Sequence, residues 1–389
     1  MLVFILLRFY PLASAASSRA ILENERWFIM KRYSQLCESI SSFENLWAAA
    51  YRARRGKRYR PDVLAFHHDL ENQLFTLREK LLHETYQPGP YRTFPIRDPK
   101  PRLISVASYR DRVVHHAICQ IIEPLYDRSF IDDSYANRLG RGTHKAVARC
   151  TYFARRYPYV LKCDIQKYFP SIDHEILKIL IAQKIKCPRT LRLAGKIIDN
   201  SNPQEEVVQY LPGDDLFTSL ERRKGIPIGN LTSQFFGNVY LNGMDHYIKE
   251  ALHCGASLRF ADDFLVFKDE KGRLHAILRS LQNYLNRLRL KLHPHKCQVS
   301  PTVHGVEFLG WIIYPDHRRV RRSTGLRFQR QLRKLQQAYV KGWIDLNSVK
   351  ASIMSWIGHL QHGDTHGLRR KLLESAVFSR SAECCTTGE

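Results

Sequence analysis

Three aspartates are the residues most suited to chemistry. Asp164 closes the β-rich run Tyr159-Val-Leu-Lys-Cys-Asp, and Asp262 and Asp263 sit side by side in Leu258-Arg-Phe-Ala-Asp-Asp-Phe-Leu-Val-Phe. Two apolar strand-like runs around an acid pair predict a hairpin whose turn presents both acids. An unpaired carboxylate in such surroundings is costly to bury, so a cation is its natural partner. Magnesium takes oxygen ligands, and two such ions can clamp the attacking and leaving oxygens of a phosphoryl transfer. Asp164 at a strand end and the pair at a nearby turn would supply that constellation. Two Mg2+ ions, or Mn2+ in their place, are the expected cofactors. A lone acid pair usually just decorates a turn, and the chain holds such a decoy in Pro212-Gly-Asp-Asp. A Pro-Gly turn precedes it and no apolar strand leads in, so Asp214 and Asp215 are assigned to a loop or helix cap.

The elements that must position the acids lie between 158 and 270, where strand-like and helix-like runs alternate. Upstream, 30–85 reads as helical: Leu64, His67, Leu70, Leu74 and Leu81 recur at helical spacing, and Pro61 sits where a helix can begin. Six bases, Arg52, Arg54, Arg55, Lys57, Arg58 and Arg60, come just before it. Residues 86–106, rich in proline, arginine and β-formers, suggest a hairpin or extended strands. Residues 110–127 read as a helix with Val113, Ala117, Ile121 and Leu125 on one face. The last eighty residues read as basic and helical. Segment 318–341 holds nine bases and no acid. Phe328, Leu332, Leu335 and Tyr339 fall there at helical spacing, so one face is apolar and the rest basic. A merely solvated helix would mix in glutamates; their absence points to phosphates.

Composition agrees. The 389 residues carry 61 Lys+Arg against 37 Asp+Glu, a formal charge of +24. Such a balance indicates a polyanionic partner, nucleic acid first. At 44% hydrophobic and 25% charged, the chain is neither disordered nor a membrane bundle. Nine cysteines without a CxxC pair read as reduced thiols in a cytoplasmic protein, with no zinc site and no membrane partner. The opening Met1-Leu-Val-Phe-Ile-Leu-Leu-Arg is too short an apolar run to span a bilayer. Residues 1–29 are expected to be a doubtful leader, with Met30 an alternative start; a secretion signal is the competing reading.

With these residues in view, the chain resembles reverse transcriptases over roughly 40–378. Phe94-Pro-Ile-Arg-Asp-Pro-Lys-Pro-Arg-Leu-Ile looks like the fingers hairpin that meets the incoming triphosphate, which implies Arg102 first and Lys100 second as its contacts. Asp164 matches the first metal-binding aspartate, and Phe169 the aromatic gate that rejects a 2′-hydroxyl. Gly225-Ile-Pro-Ile-Gly-Asn-Leu-Thr-Ser-Gln matches the loop and helix under the template–nucleotide pair, which implies Ile228, Gly229 and Gln234 there. Phe260-Ala-Asp-Asp stands for the YxDD box. Leu292-His-Pro-His-Lys-Cys places Lys296 near the leaving pyrophosphate, and Val306-Glu-Phe-Leu-Gly-Trp resembles the primer-grip turn. The implied fold is an α+β right hand: a basic helical extension (30–90), fingers and palm with a small antiparallel sheet (91–312), a short helical thumb (313–378) and a tail (379–389).

The resemblance implies RNA-directed DNA synthesis on an RNA template and DNA primer from dNTPs. Arg52, Arg54, Arg55, Lys57 and Arg58 in the extension, and Arg319, Arg322, Arg327 and Arg330 in the thumb, are the expected nucleic-acid contacts. One departure is informative. Pro227-Ile228-Gly229 replaces the common PQG, and the block ends TSQ. An aliphatic residue cannot hydrogen-bond the template–nucleotide pair, and this form resembles the enzymes of diversity-generating retroelements. Those enzymes miscopy template adenine and work with a small basic accessory variability protein. Reverse transcriptases of phage defence or of unassigned type are the alternative, intron-encoded maturases and retrons are disfavoured because both usually keep PQG, and a catalytically silent RNA-binding scaffold is the reading from another class.

Overall fold

At the start of the described residues lie four helices: Leu36–Ser41, Phe43–Arg54, Pro61–His68 and Leu70–Leu82. The computed structural model describes residues 31–97, 101–201, 207, 210, 215, 217–374 and 376–379. Pro61 occupies the first turn of its helix, where its missing N–H costs nothing. Leu70, Leu74 and Leu81 are buried as expected, but Leu64 is exposed, and Val63 and Phe66 are buried instead. The run is broken at Asp69, so the two helices keep separate phases.

Strands β1 (Arg92–Ile96) and β2 (Arg102–Val106) form the antiparallel hairpin expected of 86–106. The helix Tyr109–Asp127 follows, with Ser108 accepting a hydrogen bond from the Asp111 N–H at its start. Val113 and Ala117 are buried, and so are Val114, Ile118 and Ile122, while Ile121 and Leu125 are only half-buried. The helix is therefore covered on more than the one face expected, with the helix Phe43–Arg54 on one side and the helix Leu231–His246 on another.

The central sheet has four antiparallel strands in the order β4 (Ser257–Phe260), β5 (Asp263–Lys268), β3 (Tyr159–Asp164) and β6 (Gln298–Pro301). Leu161, Cys163, Phe264 and Val266 face one core, backed by helices that include Lys271–Arg287 and Leu231–His246. Val160, Leu258, Leu265 and Phe267 face a second core shared with the helix Thr143–Arg156. Burial on both sides explains why β5 reads as an unbroken apolar run.

A second sheet joins β7 (Val306–Phe308), β8 (Trp311–Ile313) and β9 (Arg318–Val320). The β7–β8 turn at Leu309-Gly310 is left-handed at both residues, φ 49° and 85°. Here the structure corrects a sequence expectation: 318–320, including Arg319, are strand, and the basic helix begins at Arg322. That helix, Arg322–Val340, buries Phe328 and Leu332 and half-buries Leu335 and Tyr339. Phe328 lies flat on Trp356 of the helix Leu346–Leu360, with ring centroids 3.4 Å apart. The helix His366–Glu374 completes this end. No described helix is long and apolar enough to cross a membrane. Small antiparallel sheets between helices make the α+β polymerase layout that the resemblance implies.

Candidate active site

Register brings the acids together. Asp164 ends β3 directly opposite Asp263, the first residue of β5. Phe260 faces Asp263 across the β4–β5 hairpin, so Ala261 and Asp262 form a two-residue turn. Ala261 holds φ 56°, a left-handed conformation that costs a non-glycine residue roughly 1–3 kcal/mol. The turn is tied down by Asp262, whose carbonyl accepts the Ile165 N–H at 3.2 Å. The expected hairpin is present, with one refinement: only Asp262 lies in the turn, and Asp263 already belongs to the strand.

The electrostatics are those of crowded carboxylates. Burial, and less strongly the neighbouring Asp164, raises the Asp262 carboxyl above its ordinary range, while Arg102 and Lys296 pull it down. Burial is also the main force pushing Asp263 up to about 7; Asp164 and Asp262 add to it and Lys162 opposes it. One oxygen of Asp263, Oδ1, is buried with no hydrogen-bond partner. Asp164 is paired with the Lys296 ammonium, so Lys296 stands beside the acids. Among the described residues no three His, Cys, Asp or Glu side chains are gathered tightly enough to hold an ion as they stand. The donor set nevertheless fits a hard divalent cation: carboxylate oxygens alone, mutually repelling, one of them orphaned.

Of the residues expected at the nucleotide, Arg102 and the 227–229 loop are linked through β2. Arg102 is exposed on β2 and near enough to Asp262 to lower its pKa; Lys100 lies outside the described residues. The Ser105 N–H of β2 donates to the Ile228 carbonyl at 3.2 Å, and Asn230 Nδ2 donates to the Ser105 carbonyl at 3.0 Å. The loop Pro227-Ile-Gly is thereby stitched to the hairpin that carries Arg102. Gly229 has φ 109°, and a Cβ there would lie 3.1 Å from Ile104 Cγ2, so glycine fits on both counts. Gln234 is half-buried in the first turn of the helix Leu231–His246. Phe169 is half-buried in the short helix Tyr168–Ser171, its carbonyl accepting the Ile226 N–H at 3.0 Å. A Cβ added at Gly237 would lie 3.4 Å from the Phe169 ring. Of the decoy acids, Asp215 accepts the Thr218 N–H through Oδ1 at 2.7 Å at the start of a short helix, and Asp214 lies outside the described residues.

The expected nucleic-acid contacts sit on the surface. Arg52, Arg55, Lys57 and Arg58 are exposed, and Arg54 is half-buried over the Tyr51 ring. Arg322, Arg327 and Arg330 are exposed on the basic helix, and Arg319 is exposed on β9.

The sequence reading missed Arg259. This side chain is almost wholly buried on β4, paired with equally buried Asp245 at 2.7 Å. Its Nη1 donates to the Ala261 carbonyl at 2.9 Å and to Asn238 Oδ1 at 3.2 Å, and its Nη2 to Ser134 Oγ at 3.1 Å. It therefore holds the strained turn from beneath. A charge inside an otherwise apolar strand was the available signal.

Converging carboxylates on a small antiparallel sheet beside a basic hairpin define a nucleotidyl-transfer site. Residues 95–313 match the family model for reverse transcriptase (RNA-dependent DNA polymerase), more than half the chain, and the chain belongs to that family. It is thus an RNA-directed DNA polymerase fold whose family works on a nucleic-acid template and primer with dNTPs and divalent metal ions. Among its relatives, Protein YkfC of Escherichia coli K12 is 26% identical over 292 residues, which cover 65% of this chain and 72% of that protein. Group II intron-encoded protein LtrA of Lactococcus lactis subsp. cremoris is 25% identical over 181 residues, 46% of this chain and 28% of its own length. A putative COX1/OXI3 intron 2 protein of Saccharomyces cerevisiae is 23% identical over 194 residues, 49% of this chain and 20% of its own length. The chain spans less than a third of these two intron proteins.

Proposed function

We propose that the protein copies an RNA template into DNA by two-metal nucleotidyl transfer, with reduced fidelity opposite template adenine, as in diversity-generating retroelements. Asp164, Asp262 and Asp263 would hold two Mg2+ ions, or Mn2+, which when bound neutralise charge on the reacting phosphates and activate the primer hydroxyl. The chain's own contribution is position and charge. Arg102 steadies the triphosphate from β2. Lys296, freed from Asp164, faces the departing pyrophosphate. Phe169 crowds the sugar 2′ position and so favours deoxynucleotides. The exposed bases at 52–58 and on β9 and the helix Arg322–Val340 grip the primer–template phosphates.

The observation that carries the error-prone reading is Ile228. Ile228 occupies the sequence position where the motif commonly has glutamine, and its side chain has nothing to donate or accept; its backbone is held to β2 through the Ser105 N–H. A pairing check that relies on shape alone discriminates weakly between isosteres. A small basic accessory variability protein and a cytoplasmic setting complete this proposal. The likeness to intron-encoded proteins supports a second reading, a reverse transcriptase of intron or unassigned type that copies all four bases alike.

Primer extension on an RNA template, one dNTP at a time, tests both levels. Divalent-dependent incorporation that disappears in Asp262→Ala is expected; incorporation unchanged in that variant would refute the catalytic assignment. Misincorporation should concentrate opposite adenine and fall in Ile228→Gln. Equal errors at all four template bases would favour the second reading.

A further inference from the structure

We propose that the outer face of the helix Phe43–Arg54 is a stacking platform for single-stranded RNA. The proposal rests on the RNA-copying reading and concerns a surface away from the carboxylates. Phe43, Trp47 and Tyr51 stand four residues apart and so share one stripe of the helix. Their ring centroids are 5.9 Å and 5.4 Å apart along the stripe. Phe75, from the helix Leu70–Leu82, extends the row by stacking on Phe43 at 4.8 Å. Trp47, Tyr51 and Phe75 are 37%, 44% and 51% exposed.

Phe43 is partly buried against the core, whereas Trp47 and Tyr51 stand outside it. The other face of the helix, Leu46, Ala49, Ala50 and Ala53, is buried, and this helix packs on Tyr109–Asp127. Small alanines let the two helices approach closely, which leaves Trp47 and Tyr51 outside. Three large exposed rings, Trp47, Tyr51 and Phe75, joined through half-buried Phe43, mark an interaction site.

Charge selects the partner. The row runs into the basic cluster: the Arg54 guanidinium lies 4.8 Å from the Tyr51 centroid, and exposed Arg55, Lys57 and Arg58 follow. Arg58 in turn covers Tyr59, which is 77% exposed. Acids lie near both ends, Glu44, Glu71 and Glu79 toward Phe43 and Asp62 beside Lys57, but around Tyr51 they are outnumbered by Arg52, Arg54, Arg55, Lys57, Arg58 and Arg60. Rings that grade into arginines suit bases followed by phosphates. Bases in a duplex are already stacked on one another, so a row of ring faces serves an unpaired strand.

The test uses the full chain with two probes, a labelled oligouridylate and a blunt RNA duplex, in binding titrations at several salt concentrations. The double variant Trp47→Ala/Tyr51→Ala should lose about tenfold or more in affinity for oligouridylate. Its salt slope and its duplex affinity should be unchanged. Trp47→Phe/Tyr51→Phe, which keeps the rings, should bind nearly as the parent does, excluding a folding defect. Arg55→Gln/Arg58→Gln should lower the salt slope by about 1–2 and weaken both probes. Oligouridylate affinity unchanged in the alanine pair would overturn the proposal, as would an equal loss for the duplex. A changed sedimentation coefficient without a change in RNA affinity would do so too, since it marks a protein interface. Primer extension by the unaltered protein is scored separately, so failure of the polymerase reading is distinguishable from failure here.

Discussion

Arg259 is the side chain whose removal should separate stability from catalysis. In Arg259→Met the strand keeps a residue of similar length, but Asp245 is left buried without its partner. Breaking a buried pair in this way costs roughly 3–5 kcal/mol, mostly as the uncompensated charge. Three further bonds go with it, to the Ala261 carbonyl, Asn238 and Ser134. Each contributes about 1 kcal/mol. A second substitution, Asp245→Leu, removes the stranded carboxylate, so the double variant should regain most of the stability, about 3 kcal/mol or more. It should not regain activity, because the Ala261 carbonyl still lacks the donor that fixes the turn. A displacement of about 1 Å at reacting groups costs on the order of 100-fold in rate. Urea unfolding gives the stability arm, and single-turnover primer extension under saturating dNTP gives the activity arm. If the double variant recovers stability and rate together, Arg259 is only a structural partner of Asp245 and the positioning argument fails. If Arg259→Met loses activity but no stability, the assumed cost of burying Asp245 alone is wrong.

Other expectations follow from single contacts. Phe169→Val should raise ribonucleotide incorporation relative to deoxynucleotide by roughly tenfold or more, read from competing rNTP and dNTP in one extension assay; an unchanged ratio would remove Phe169 from the gate. Buried His115 has neither ring nitrogen bonded, and burial lowers its pKa to about 4. The unfolded chain therefore takes up the proton first as pH falls, and stability present above about 6.5 should be lost below it, by about 2 kcal/mol at pH 5. His115→Gln should flatten that part of the profile in urea melts at pH 7.5 and 5; an identical slope in parent and variant would contradict the assignment. A Cβ at Gly363 would clash with the ring edge of fully buried Trp311, 2.9 Å from its Cη2 and closer still to Cζ3. Gly363→Ala should thus destabilise by about 1–3 kcal/mol, and a variant as stable as the parent would show that this junction has room.

The carboxylate centre was legible in the sequence because its signal is local. A strand that ends in an acid, and a hairpin with acids at its turn, each fit within ten residues, and antiparallel pairing then forces Asp164 opposite Asp263. Arg259 was hidden for the opposite reason. Its partners Asp245, Asn238 and Ser134 come from distant segments, and only tertiary structure shows that they meet. Leu64 was misplaced because a helical period read straight through Asp69 assumes one helix where there are two. Strand β9 was absorbed into the basic helix because three residues carry too little pattern to interrupt a helical period. What holds them extended is long-range: Arg318 Nε donates to Thr151 Oγ1 at 2.7 Å, and its Nη1 to the His362 carbonyl at 3.1 Å.

The way the loop at Ile228 is fastened has a consequence for copying accuracy. Its anchor to β2 runs through a main-chain carbonyl, which every amino acid possesses, while Gly229 supplies the backbone turn. The side chain at 228, which is half-buried, takes no part in that anchor. On the proposed reading of Ile228, copying accuracy is a trait that one codon can set while the loop keeps its anchor to β2.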